Sequence, residues 1–177
     1  AISVNAPAVT YGSNAMVTVK LTSGTGTPTG NVLLSVDHGA PVSGTVNSNG
    51  QVTFNVGRLN AGQHAISVRY VGAGVFPELS ESGTLTVNPR PLILSGSRLF
   101  DGTNQADAGI LTMVNLVAGD DLTLTGRVLL AGSAVGRPVI TAFGNLVLGG
   151  ASTGNYTLVG ARGAVTINAR TLNSNPR

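Results

Sequence analysis

The sequence has no cysteine and no tryptophan, and only 10% of its 177 residues are charged. Without cysteine it forms no disulfide, thiolate nucleophile or cysteine-based zinc site. Helix surfaces usually carry Glu, Lys, Gln and Arg. Here there is one lysine, Lys20, and two glutamates, Glu78 and Glu81, which argues against a helical fold. No apolar run approaches the roughly 18 residues that a membrane-spanning helix needs, so we expect no membrane insertion.

The net charge of +3 is carried by the second half of the chain. Residues 1–88 are neutral, whereas residues 89–177 hold seven arginines against four aspartates. Proteins that bind nucleic acid cluster their positive charge on one stripe and add aromatic side chains that stack on bases. These arginines are scattered singly, so the sequence predicts no nucleic-acid partner.

Apolar and polar residues alternate along most of the chain, the period of a half-buried β-strand. In the first half this pattern predicts strands at 16–22, 31–36, 51–56, 64–70 and 83–88. Turn signals separate them: a Gly/Thr/Pro loop at 24–30, a hairpin turn at Asp37-His38-Gly39, and Asn49-Gly50. Asn-Gly is a strong hairpin signal because a type I′ turn needs two positive φ angles. Short strands at this spacing indicate an antiparallel sandwich.

Two prolines at Asn88-Pro89-Arg90-Pro91 mark a boundary, since proline stiffens a connection and disrupts a sheet interior. Beyond it the pattern predicts strands at 92–100, 110–117, 121–131, 138–143, 145–148, 155–160 and 163–168. The fold class is therefore all-β, with two tandem β-sandwich (Ig-like) modules. For the second module a β-grasp-like arrangement with a short helix at 103–109 is the alternative, which Gly109 and the shortness of the segment disfavour.

The end of the first module recurs at the end of the second: TVNPRPL at 86–92 corresponds to TINARTL at 166–172. The repeat predicts a first domain at 1–88, a second at 89–170, and the start of a following linker or module at 171–177. A parent protein built as a string of such units is the simplest explanation.

The first module resembles the bacterial Ig-like repeats of large surface proteins. The resemblance covers about residues 6–88 and is carried by TYG at 10–12, TPTG at 27–30, LNAGQH at 59–64, VRYVG at 68–72 and FP at 76–77.

The second module, about residues 91–168, resembles the YDG-type domain of hemagglutinin-like and filamentous adhesins. This resemblance is carried by FDGT at 100–103, GDD at 119–121, VG at 135–136, LGGA at 148–151 and GNYTL at 154–158. Phe100 departs from the tyrosine that is usual in the family. Both resemblances imply an exported, extracellular protein of the bacterial cell surface and imply no chemistry.

Candidate site residues are few. Asp101, Asp120 and Asp121 lie in loops and are a conceivable calcium site, since calcium accepts several oxygen ligands in irregular geometry; otherwise no cofactor is expected. His38 and His64 lack any metal-ligand spacing, and no GxSxG motif accompanies them. The seven aromatic residues are spread through the strands and are interpreted as core anchors.

The sequence therefore predicts a non-catalytic stalk of a secreted surface adhesin, whose partners are neighbouring modules of the same polypeptide. Two alternatives remain open. One is a module that directly binds a host or matrix glycan or protein through its loops. The other is an accessory module of a secreted enzyme.

Overall fold

The computed structural model describes residues 1–170, in which the chain divides into two compact units after Pro89. The predicted start of a further module at 171–177 lies outside the described residues. The prediction of an all-β fold is confirmed: between the strands, residues 1–170 contain two three-residue 3-10 turns and no α-helix. No helix in this range is long and apolar enough to span a membrane.

The first unit contains eight strands arranged in two sheets. They are β1 (Ile2–Asn5), β2 (Val9–Thr10), β3 (Ala15–Leu21), β4 (Asn31–Val36), β5 (Val42–Thr45), β6 (Gln51–Gly57), β7 (Gly62–Tyr70) and β8 (Leu79–Asn88). One sheet has the order β1-β3-β6 and the other the order β2-β8-β7-β4-β5. All neighbours are antiparallel except β2 and β8, which are parallel.

Alternation along the strands places the core as the sequence predicts. On β3, Val17 and Val19 are fully buried, whereas Met16 and Lys20 on the opposite face are exposed. The core also takes valine, leucine, isoleucine and aromatic side chains from β4, β6 and β7. The two sheets thus enclose one apolar layer, as in a β-sandwich.

Of the two predicted hairpin turns, the one at Asp37-His38-Gly39 is present and the one at Asn49-Gly50 is not. Asp37 and His38 both have positive φ, 51° and 61°, and the Gly39 amide donates to the Val36 carbonyl, so a type I′ turn lies in the connection from β4 to β5. At Asn49-Gly50 only Gly50 has positive φ. That segment carries the chain from one sheet to the other, and the Asn47 side chain accepts the amides of Asn49 and Gln51 there.

The second unit contains seven strands: β9 (Arg90–Leu99), β10 (Gln105–Asp107), β11 (Leu111–Met113), β12 (Thr123–Leu130), β13 (Ile140–Ala142), β14 (Leu146–Gly149) and β15 (Tyr156–Asn168). One sheet has the order β11-β9-β15. In the other, β12 pairs with β10 and β13 through its second half and with β14 through its first half.

The last predicted strands, 155–160 and 163–168, form a single strand interrupted by a bulge. Along β15, Thr157 is the partner of Pro91 and Arg162 the partner of Ile93. Four residues, 158–161, therefore face the single residue Leu92. Beyond the bulge, residues 162–168 run parallel to 93–99 without interruption.

The short helix considered at 103–109 is absent. Residues 105–107 form strand β10, and a 3-10 turn follows at Ala108–Ile110. The predicted strand 110–117 is shorter than expected because it ends at Met113, where a turn begins. The all-β prediction thus holds in this unit, while several strand bounds differ.

Candidate functional site

A histidine and an aspartate join the hairpin turn of the first unit to β7. His64 Nδ1 lies 2.6 Å from Asp37 Oδ2, and His64 Nε2 lies 2.7 Å from the carbonyl oxygen of Asn60. The other carboxylate oxygen of Asp37 accepts the Ala65 amide at 2.9 Å. The His64 side chain is only 13% exposed, so it is neither solvated nor free.

This environment favours the charged imidazolium. Both ring nitrogens face an acceptor, so both must carry a proton for the two hydrogen bonds to form together. The hydrogen bond to Asp37 raises the pKa of His64, and the bond to the Asn60 carbonyl adds to that effect. In return, His64 lowers the pKa of Asp37. With Nε2 occupied by a backbone carbonyl, the ring has no nucleophile to activate, in contrast to a catalytic triad.

Two tyrosine hydroxyls hold long loops against the strands. Tyr70 is fully buried and donates to the carbonyl oxygen of Thr29 in the loop before β4. In the second unit, Tyr156 donates to Asp120 and accepts the Val117 amide at 2.8 Å. These hydroxyls are the polar ends of core aromatics, which usually find a partner when buried.

Most of the aromatic residues are core anchors, and Phe100 is an exception. Phe54, Tyr11, Tyr70 and Tyr156 are buried, but Phe100 is 38% exposed. Its interpretation as a core residue is wrong, because β9 ends at Leu99 and Phe100 stands at the start of the following turn.

Asp101 organises that turn. Its Oδ1 accepts the amide and the hydroxyl of Thr103 at 2.9 and 2.7 Å, and its other oxygen pairs with Arg98. Arg98 also donates to the Thr103 carbonyl at 2.7 Å. The bonds from Thr103, aided by Arg98, lower the pKa of Asp101 to about 2.

The three aspartates considered for calcium lie in separate hydrogen-bond networks. Asp101 is held by Thr103 and Arg98, Asp120 accepts from Tyr156, and Asp121 accepts the Ala151 amide at 3.1 Å. No group of three or more His, Cys, Asp or Glu within residues 1–170 is placed to hold a metal ion. Asp101, Asp120 and Asp121 are therefore not brought together as one such group.

Asn115 has a structural role that the sequence did not indicate. Its side chain accepts the Ile93 amide at 3.0 Å and donates to the Pro91 carbonyl at 2.8 Å. It thereby continues the pairing of β9 beyond the end of β11 and compensates for a proline inside a sheet. The expectation that both prolines lie outside the sheet is wrong for Pro91, which belongs to β9.

The second unit also carries an open groove with a volume of about 560 Å³ over β9 and β15. Its lining includes Ile93 and Ser95 from β9, Val114 after β11, Arg137 and Val139 before β13, and Arg162 from β15. Both arginines are exposed, and none of the ion pairs in residues 1–170 involves them. The groove therefore has positive walls that no carboxylate of the described chain neutralises.

A comparable groove on the first unit is electrically balanced. It crosses β4, β7 and β8, and its lining includes four serines together with Arg69 and Glu81. Arg69 Nε lies 3.1 Å from Glu78 Oε1, so its charge is paired.

Comparison with known proteins finds a family model that matches each unit. Residues 2–88 match the family described as bacterial Ig-like domain (group 3), and residues 84–167 match the YDG domain. No curated protein matches the chain. A solved structure titled "Biofilm associated protein - BSP domain" aligns with 99% of this chain at 15% identity and a TM-score of 0.34; the chain covers 30% of that structure's length.

Proposed function

We propose that this chain, a bacterial Ig-like domain of group 3 followed by a YDG domain, is a load-bearing, non-catalytic segment of a large secreted, hemagglutinin-like adhesin on the bacterial surface. Its partners are the neighbouring modules of the same polypeptide. Both units support this role, because hydrogen bonds from buried or half-buried side chains fasten their loops to their strands. Such a segment holds its shape and transmits tension to whatever lies beyond it.

The observation that carries the proposal is the parallel pairing of each unit's early strand with its last strand. In the second unit, β9 is the first strand and runs parallel to β15 over seven consecutive pairs, from Ile93–Arg162 to Leu99–Asn168. In the first unit, Val9 and Thr10 of β2 pair in parallel with the end of β8, and the Tyr11 amide donates to Asn88.

This geometry matters when the chain is pulled along its length. Tension enters at the amino end of β9 and leaves at the carboxyl end of β15. Because the two strands are parallel neighbours, they are drawn past each other and all their ladder hydrogen bonds are loaded together. An antiparallel hairpin pulled at its open end would instead lose its bonds one at a time. A single residue, Pro89, separates β8 from β9, so the chain has no long flexible linker at this point.

The arrangement of the side chains supports a non-catalytic role. Within residues 1–170, the pair formed by His64 and Asp37 comes nearest to a catalytic set, and its remaining imidazole nitrogen is bound to the Asn60 carbonyl. The adhesin assignment is also preferred to an accessory module of a secreted enzyme because the resemblance to bacterial Ig-like and YDG domains implies a surface protein and implies no chemistry.

Single-molecule pulling in two directions tests the load-bearing role. The chain has no cysteine, so introduced cysteines are unique handles. Handles at Pro89→Cys and Ala169→Cys shear β9 against β15. Handles at Leu99→Cys and Asn168→Cys, which are exposed register partners, peel the same strands apart from one end. We expect the second unit to unfold at a clearly higher force in the shearing direction at equal loading rate. Equal forces in the two directions would remove the basis of the proposal.

A further inference from the structure

We propose that the groove over β9 and β15 binds an extended peptide segment that carries acidic side chains at both ends of a short apolar stretch. The proposal goes beyond the load-bearing role, and each can fail without the other. It assigns a ligand chemistry to Arg137, Arg162 and the apolar residues between them.

The positions of the two arginines follow from the backbone pairing. Val139 forms an antiparallel bridge with Ala164, and Gly136 forms one with Ile167. Hydrogen bonds between Val165 and Pro138 and between Ile167 and Gly136 fix this register. Arg137 stands two residues before Val139.

Because side chains two residues apart share a face of a strand, Arg137 lies on the same face as Val139. Arg162 likewise stands two residues before Ala164 and shares its face. The antiparallel direction then puts the arginines on opposite sides of the Val139–Ala164 pair. Their Cα atoms are about four residues, or roughly 13 Å, apart along the strands.

Both guanidinium groups are available to a ligand. Arg69 and Arg98 are held in ion pairs, and Arg127 donates to Gln105 at 2.8 Å. Within residues 1–170, Arg137 and Arg162 form no such bond with a described residue. The sequence beyond residue 170 contains no Asp or Glu that would supply a side-chain carboxylate. An incoming carboxylate can therefore form charge-assisted, bidentate hydrogen bonds with either arginine.

The lining between the arginines selects for a peptide. Val114 and Val139 are 59% and 57% exposed, and they present apolar surface in the groove. Small residues at Ser95 and Ala164 leave room for side chains of a bound segment. None of the seven aromatic residues lines the groove, so it lacks the flat platform on which a sugar ring stacks. An extended peptide with acidic residues at positions i and i+4 spans about 13 Å and matches the spacing of the arginines.

Binding is measured by NMR titration of the whole 177-residue chain with the capped peptide Glu-Thr-Val-Thr-Glu. We expect amide shifts that centre on Val114, Val139 and Arg162, and binding that weakens as salt is raised. The double variant Arg137→Gln/Arg162→Gln should weaken binding at least tenfold, as expected when charge-assisted hydrogen bonds are lost. The neutral peptide Gln-Thr-Val-Thr-Gln should bind the unaltered chain as weakly as the acidic peptide binds the double variant.

The matched control is Arg58→Gln/Arg127→Gln, which lowers the net charge by the same two units but leaves the groove intact. It should bind the acidic peptide as the unaltered chain does. A chain that stays folded and shows no shifts at millimolar peptide would overturn the proposal, and so would equal weakening in both double variants. If oligogalacturonate shifts the groove amides and the peptide does not, the groove binds an acidic glycan and the peptide assignment is wrong.

Discussion

His64 Nδ1 lies 2.6 Å from Asp37 Oδ2, although the two residues are 27 positions apart in the sequence. The pair connects the β4–β5 turn to β7, where the Asp37 amide and carboxylate also bond with Ala65. The contact between β7 and the β4–β5 turn, which has two positive φ angles, thus depends on the charged ring of His64.

The pair makes the stability of the first unit depend on pH. The pKa of His64 is raised by folding, so its contribution is fully present below the ordinary value of 6.5 and is lost as pH rises through the folded pKa. The pKa of Asp37 is lowered, so its contribution is present above 3.8 and is lost as pH falls through the folded pKa. We expect the first unit to resist unfolding by urea better at pH 5.5 than at pH 8.5. The NMR signal of the Val68 amide monitors this unfolding. His64→Gln should remove most of this difference, whereas His38→Gln at an exposed position should preserve it.

Gly163 should tolerate no side chain. A Cβ at this position would lie 2.1 Å from the Leu94 carbonyl oxygen, so strand β9 or β15 would have to move. We expect Gly163→Ala to destabilise the second unit by about 1–3 kcal/mol or more. The control is Gly144→Ala, where the added carbon meets no atom within 4 Å. Denaturant midpoints of the two variants check the prediction, which fails if they are equally stable.

Removing the Tyr156 hydroxyl should loosen the loop before β12. Tyr156→Phe leaves the Val117 amide without its acceptor and Asp120 without this donor. A half-buried polar group left without a hydrogen-bond partner costs about 1–3 kcal/mol, and we expect the free energy of unfolding of the second unit to fall by this amount. Amide hydrogen exchange should rise at Val117 while the first unit is unchanged. Tyr70→Phe should show the reverse, with faster exchange in the first unit alone.

Asn115→Ala should weaken the start of β9. The substitution removes the donor to Pro91 and the acceptor for Ile93, and we expect a cost of about 1–3 kcal/mol. Faster hydrogen exchange at the Ile93 amide is the specific readout. Asn145→Ala, at an exposed position, serves as the control. Unchanged hydrogen exchange at the Ile93 amide would contradict the prediction, because water would then replace the Asn115 side chain at no cost in stability.

The sequence predicted the strands best where alternation decides burial. Val17, Val19, Leu34 and Val68 stand at apolar positions of the predicted strands and are buried, because one face of each strand packs on the core. The prediction of a hairpin at Asn49-Gly50 is wrong because local propensity alone cannot tell a hairpin from a crossing between sheets. The bulge of residues 158–161 was missed since the register of a parallel pair depends on a strand far away in the chain.

Contacts between distant residues explain what the sequence did not reveal about the sites. The pairing of His64 with Asp37 and the bonding of Asn115 to β9 both depend on tertiary placement. In the sequence the arginines of the groove are scattered charges, because Arg137 and Arg162 are 25 positions apart (162 − 137) and line one groove only through the Val139–Ala164 pairing.

The parallel pairing of β9 with β15 also governs the order of events during folding. Leu99 and Asn168 are register partners but stand 69 positions apart (168 − 99). A chain that emerges from its amino end therefore cannot complete this sheet until residues 156–168 have appeared, and closing so long a loop makes folding slow. Until then β9 has a vacant edge on the side of β15, where a second nascent chain could pair with it. The second unit is thus most vulnerable to misassembly in the interval between the synthesis of its first strand and that of its last.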